Sequence, residues 1–238
     1  MIREHFEFRQ TIATILADDP RHVEAAKSGL MAARQEVERQ IAIDPYFSAT
    51  LEPYTPKAPG RTVGRMARAA EEAGVGPMAA VAGAIAWAGV EAMADAGASF
   101  GLVDNGGDIA LASDREIKIG VFAGGSPLSG RIAFLLPPER EILGICTSSA
   151  TVGPSISFGI ADAVTVFSSD VAAADAWATA ICNRITKDDT SVLDALDGTE
   201  VRGVLAVIGD AVVRWGDLPP IVRAKVDERL ITAGRPPV

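Results

Sequence analysis

The chain has 238 residues, 48% hydrophobic and 22% charged, an ordinary globular composition that excludes a disordered chain. Asp plus Glu number 31 against 22 Lys plus Arg, and the net charge of −9 argues against nucleic acid or an anionic membrane as the main partner. Aromatics make up only 5%, so Ala and Gly do much of the filling and allow helices and loops to approach closely.

Taken in chain order, Phe6 and Phe8 alternate with charged neighbours, and Ile12, Thr14 and Leu16 continue on the same parity, so the chain opens with strand pattern. Asp18-Asp19-Pro20 supplies an N-cap and a proline for the first helical turn, and Val23, Lys27, Leu30, Arg34, Val37 and Ile41 recur at helical spacing. A helix over 19–43 is expected, ending near Asp44-Pro45. Residues 46–60 carry several prolines and read as a connecting loop. A second helix over 62–73 stops at Gly74, and a third, built almost wholly from small and apolar residues, runs over 77–96. Its apolar stretch, residues 77–90, is about 14 residues before Glu91, short of the ~20 that span a bilayer, so a buried core helix is expected.

Short strand-like runs follow at 100–103, 108–111, 117–122, 131–136 and 142–147, separated by turn residues at Asn105-Gly106-Gly107, Ser113-Asp114 and between Gly124 and Gly130. Residues 163–167 make another strand, and 170–185 a helix capped by Asp170. Strands 203–208 and 212–215 meet at Gly209-Asp210, and a helix of mixed charge is expected to close the chain. Hairpin-type strands without a regular βαβ rhythm indicate an α+β fold: mostly antiparallel sheet with flanking helices. The expected organisation is one domain over 1–238, with a strand/helix region at 1–60 and a core carrying the site at 61–238.

Four constellations bear on chemistry. In Gly74-Val75-Gly76-Pro77-Met78, glycines precede a proline at a helix start, leaving bare N–H groups at the positive end of the helix dipole. That end can take a phosphate, or the segment is a tight helix–helix turn. Asp104-Asn105-Gly106-Gly107-Asp108 sits between two strands. It can let a ligand approach the backbone, or it is a hairpin turn of the commonest kind. Thr147, Ser148 and Ser149 follow a strand and can donate to phosphate oxygens or a flavin edge, or serve as a capping cluster. Asp175 and Thr179 are four apart on a helix, so their oxygens share a face and can hold Mg²⁺. Alternatively Asp175 favours the dipole and Thr179 bonds back to a carbonyl.

Cys146 and Cys182 lie far apart without metal-type spacing, and the N-terminus carries no secretory pattern, so both are expected to be reduced thiols of a cytoplasmic protein. His5 and His22 fall in the first strand and first helix, so nothing specific pairs a histidine with Cys146 as a nucleophile.

The order of these segments resembles the ApbE-like superfamily, the FAD:protein FMN transferases. The order runs from the small-residue helix through Asn-Gly-Gly-Asp-Ile and Cys-Thr-Ser-Ser to Asp-Ala-Val-Thr-Val and Ala-Asp-Ala-Trp-Ala-Thr. The likeness covers roughly 74–182 and is greatest to the superfamily's uncharacterised soluble branch. It implies a flavin-like small-molecule ligand, FAD or FMN, in a pocket lined by Gly76, Met78, Asn105, Gly106, Gly107, Asp108, Thr147, Ser148 and Ser149. It also implies Mg²⁺ held by Asp175, Thr179 and the main-chain carbonyl of Ala82. The implied reaction splits the FAD pyrophosphate and places FMN on a Thr or Ser of an acceptor protein.

Three departures from the transferases stand out. Ala82 precedes Gly83 where they carry a Lys before the glycine. Gly153-Pro154-Ser155-Ile156-Ser157-Phe158-Gly159 replaces their His-containing segment, with Pro154 where the soluble branch has His. No lipoprotein signal is expected from the opening residues. Two readings therefore stand together, Mg²⁺-dependent FMN transfer and a flavin or nucleotide carrier that has lost the chemistry. Hydrolysis or isomerisation of another small metabolite on the same fold is a third. The catalytic residues stay unassigned, and small apolar helix faces are compatible with a homodimer.

Overall fold

The structure is a computed structural model that describes residues 1–151, 159–226 and 232. Eleven strands are present among them. The first four are β1 (Ile2–Phe8), β2 (Thr11–Ala17), β3 (Gly101–Asn105) and β4 (Asp108–Ser113). Then come β5 (Ile117–Gly120), β6 (Ile132–Leu136), β7 (Glu139–Ser148), β8 (Ala163–Ser168), β9 (Val201–Ile208), β10 (Ala211–Gly216) and β11 (Ile221–Arg223). Eight of them form the main sheet in the order β1-β2-β3-β4-β7-β8-β9-β10, with every neighbouring pair antiparallel. The other three make a small sheet, β11-β6-β5, inserted between β4 and β7 and completed by the last strand among the described residues. The fold is α+β with an antiparallel sheet, as the hairpin chemistry predicts.

The helices are α1 (Pro20–Ile43), α2 (Tyr46–Ala49), α3 (Arg61–Ala73), α4 (Val81–Asp95) and α5 (Val171–Arg184), with 3₁₀ turns at Pro77–Ala80 and Ser191–Leu196. Asp19 caps α1 by accepting from the Arg21 N–H, and Pro20 occupies its first position. Gly74 ends α3 in the left-handed conformation, φ 70°. Asp170 caps α5 by accepting from the Ala173 N–H.

Alternate residues of the strands serve two cores. Ala13, Ile15, Val103, Ala110, Cys146, Val164 and Val166 face α1, α4 and α5, whereas Leu102, Leu111, Leu143, Ile145 and Phe167 face Phe134 and Leu136 of the small sheet. On the helix side small residues set the spacing. A Cβ on Gly29 of α1 would lie 2.4 Å from the Ala88 carbonyl oxygen of α4, and one on Gly144 of β7 would lie 2.7 Å from Val171 Cα of α5. The helix Pro77–Asp95, 19 residues, is long and apolar enough to cross a membrane, yet half of it is buried, between α1, α5, β3 and β4.

Several expectations need correction. The opening pattern is a hairpin, not one continuous strand: Arg9 takes φ 56° and the chain turns back. Phe6 therefore lies opposite Ala13, and Glu7 opposite Ile12, so the parity read across residues 6–16 does not persist. The stretch 46–60 includes the one-turn helix α2. The small-residue helix begins with a 3₁₀ turn over Pro77–Ala80. Ile221–Arg223 adds an unforeseen strand on β6, while the expected closing helix falls largely on residues 227–231 and 233–238, outside the described residues.

Candidate functional site

The β3–β4 hairpin closes on the pair Asn105 and Asp108. Its two turn residues, Gly106 and Gly107, have φ 73° and 106°, values that L side chains rarely adopt. Asp104 Oδ1 braces the turn by accepting from the Gly107 N–H at 2.9 Å. The other oxygen of Asp104 accepts from the hydroxyl of Thr232 at 2.6 Å, and that hydroxyl also lies 2.8 Å from Thr14 Oγ1.

On the helix side of the same turn, three elements converge. Asn105 Nδ2 donates to the Ala82 carbonyl at 3.0 Å, joining β3 to the start of α4. The Gly83 N–H donates to Asp175 Oδ2 at 2.8 Å, joining α4 to α5. Gly83 must be glycine for this approach: a Cβ there would lie 2.7 Å from the Val171 carbonyl oxygen and 2.8 Å from Asp175 Cβ. Asp108 faces Cys146 across the β4–β7 ladder, and its Oδ1 accepts from the Thr147 N–H at 3.2 Å.

Burial governs the charge of this cluster. It pushes Asp175 up to about 7, against the smaller opposing effect of N–H donors from Gly83 and Ala82. Asp108 is held well above the ordinary carboxylate range, first by burial and then by the neighbouring charges of Asp175 and Asp104. Asp104 is also raised by burial, with Thr232 and Gly107 pulling the other way. The Cys146 thiol is raised by burial and then by Asp108 and Asp175, and it lies 3.6 Å from the Val171 carbonyl. A thiol so placed stays protonated, which makes it a poor nucleophile.

The remaining predicted residues are distributed more widely. Thr147 and Ser148 point to opposite faces of the sheet, as successive strand residues must. Thr147 Oγ1 hydrogen-bonds Thr165 Oγ1 at 2.9 Å, Ser148 is buried, and Ser149 Oγ accepts from the Thr151 N–H at 3.1 Å. Gly76 packs against the loop after α2, where a Cβ would meet the Thr50 carbonyl oxygen at 2.2 Å, and Met78 packs half-buried on the helix-side core. Thr179 lies one turn beyond Asp175 and is half-buried. Pro154 and its neighbours over 152–158 lie outside the described residues.

Among the described residues no three His, Cys, Asp or Glu side chains are arranged to hold a metal, so a cation here would draw on one carboxylate, a hydroxyl and a carbonyl. Two surface cavities, of about 300 and 440 Å³, are lined by residues such as Arg61, Arg65 and Glu91, and Arg9, Gln35 and Glu38. Neither takes in a predicted site residue. Sequence reasoning did not find the roles of Gly83 and Cys146, nor the bond of Thr232 to Asp104, 128 positions away. A glycine following Ala82 in an otherwise helical run was the one available signal.

A mostly antiparallel sheet with flanking helices is the fold of the ApbE flavin transferases. The chain is similar to the apo flavinyl transferase ApbE of Pseudomonas stutzeri over 98% of both chains, with TM-score 0.51 and 14% identity. It is also similar to the ApbE protein of Thermotoga maritima over 90% of this chain and 97% of that one, with TM-score 0.53 and 14% identity. The family model described as AbpE bacteria matches residues 3–198, and the chain belongs to that family. A UPF0280 protein of Methanoculleus marisnigri is 83% identical over 98% of this chain and 96% of its own length. Another from Methanoregula boonei is 60% identical over 98% and 99%.

Proposed function

We propose that this protein binds a flavin nucleotide, FAD or FMN, together with Mg²⁺. The site is the sheet end where the Ala82–Gly83 step, the Gly106–Gly107 turn and Asp175 meet. The observation that carries the reading is the Asp175 carboxylate. It is 7% exposed, takes its hydrogen bonds from backbone N–H groups, and shares its surroundings with the buried carboxylate of Asp108. Such a position is short of positive charge, and a divalent cation supplies it.

The donor set fits a hard cation. Asp175, Thr179 and the Ala82 carbonyl offer oxygens only, and Mg²⁺ completes its octahedron with waters and substrate phosphates. When bound, the ion would neutralise charge on a pyrophosphate. The chain's own residues bind and orient. Asn105 holds the Ala82 carbonyl in place, Asp104 and Gly107 keep the turn open to close backbone approach, and Asp108 and Cys146 lie buried beneath it.

Similarity to flavin transferases supports FMN transfer from FAD to an acceptor protein as the reaction. A second reading, a carrier that binds the nucleotide without transferring it, is favoured by Ala82, whose methyl group stands where the transferases carry a Lys amine. Incubation with FAD, Mg²⁺ and a Thr-containing acceptor separates the two. Release of AMP with a covalent flavin adduct by mass spectrometry indicates transfer, and tight FAD binding without AMP indicates a carrier. Failure of FAD and FMN to bind at millimolar Mg²⁺ would contradict both.

A further inference from the structure

We infer that Thr11 is a ligand-binding residue of this site, its hydroxyl donating to a ribityl or phosphate oxygen of the nucleotide. The inference rests on the flavin-nucleotide reading above. Among the described residues, Thr11 Oγ1 is the one buried side-chain nitrogen or oxygen with no hydrogen-bond partner, and the residue is 2% exposed. A buried hydroxyl left unmade lowers stability, and native folds leave few of them. A β-branched apolar residue would fill the same place in a strand without that penalty.

The position of the hydroxyl connects it to the site. Thr11 lies two residues before Ala13, which pairs with Asn105, so Thr11 shares the helix-covered face with the side chain that reaches Ala82. Continuing the β2–β3 register two residues past that pair sets Thr11 level with the Gly106–Gly107 turn. Thr11 is also held firmly. It closes the β1–β2 hairpin opposite Phe8, and the hairpin's turn is tied to α1 by Arg9 with Glu38 and by Gln10 with Arg34. The glycine turn beside it borders open space: a Cβ on Gly106 would meet nothing within 4 Å, and one on Gly107 only the Thr147 carbonyl at 3.9 Å. A nucleotide entering that space would lie level with the Thr11 hydroxyl.

The test is FAD titration in the presence of Mg²⁺, with melting curves of the ligand-free protein, on wild type, Thr11→Val and Thr11→Ser. Val keeps the shape and loses the hydroxyl. We expect it to bind FAD roughly tenfold more weakly, the loss of one hydrogen bond, while its ligand-free Tm rises by about 2–4 °C. Ser should bind within about twofold of wild type. Equal affinity in wild type and Thr11→Val overturns the inference, and so does a lower ligand-free Tm in Thr11→Val, which would make the hydroxyl a structural partner. Wild type that binds neither FAD nor FMN contradicts the functional reading itself, and this inference falls with it.

Discussion

The two faces of the eight-stranded sheet differ in the side chains they bury. Toward the small sheet, Leu102, Leu111, Leu143, Ile145 and Phe167 meet Phe134 and Leu136, and the rings of Phe134 and Phe167 pack edge to face at 4.8 Å. Toward the helices the same strands interleave the small Ala13, Ala110 and Cys146 with Ile15, Val103, Val164 and Val166, and near the Gly106–Gly107 turn they present Asn105 and Asp108. Large apolar side chains fill one layer and contribute stability. Small ones on the other side bring α4 and α5 so close that backbone N–H groups, a carbonyl and buried carboxylates meet. The small-sheet face is therefore expected to serve stability alone, and the helix face both stability and ligand binding.

The largest effect falls on the apolar face. Phe134→Ala should cost about 3–5 kcal/mol by denaturant unfolding and leave FAD and Mg²⁺ affinity of the folded protein unchanged. A matching loss of affinity would break the separation of the two faces. Gly83→Ala comes next. The neighbour its methyl group meets is backbone, the Val171 carbonyl, so about 1–3 kcal/mol of stability should be lost. Because Asp175 must move as well, Mg²⁺ binding should weaken more than tenfold by calorimetry.

The pH dependence sharpens the same contrast. In the native protein burial raises Asp175 from 3.8 to about 7, so over that interval the folded state holds a proton that the unfolded state has released. Stability of the metal-free protein must then fall as pH rises from about 4 through 7, the reverse of the usual carboxylate case. Melting temperatures in chelator at pH 5 and pH 8 should show the decline, and Mg²⁺ should reverse it at pH 8. A melting temperature that rises over this range, or ignores Mg²⁺, would contradict the electrostatic account. The smallest effect is expected from Thr147→Val. Its hydroxyl is engaged with Thr165, on the face away from the helices, so removal should cost about 1 kcal/mol and leave FAD binding within twofold.

Local chemistry made much of the fold legible. Asp19-Pro20 started α1, Gly74 stopped α3, Asp170 capped α5, and Asn-Gly-Gly-Asp marked the β3–β4 turn. The β1–β2 hairpin escaped because its turn, Arg9-Gln10, contains no glycine, asparagine or proline; Arg9 takes a positive φ that its residue type does not advertise. The short strand β11 escaped because its pairing with β6 depends on a partner some 90 positions away.

The site was legible only in pieces. Asn105, Asp108 and Asp175 stood out as residue types, but the bonds that join them, Asn105 to Ala82 and Gly83 to Asp175, cross 23 and 92 positions. Strand alternation also divided the run Thr147-Ser148, which reads in one dimension as a single hydroxyl cluster. Burial, which sets the charge of Asp108 and Asp175, has no signature in an isolated Asp.

The central claim is that Asp175 holds a cation on which nucleotide binding depends. Titration calorimetry of Mg²⁺, and of FAD with Mg²⁺ present, on wild type and Asp175→Asn at pH 8 tests it most directly. The account predicts that the variant keeps the wild-type circular dichroism spectrum and loses Mg²⁺-dependent FAD binding by tenfold or more. Equal affinities in the two proteins would contradict it.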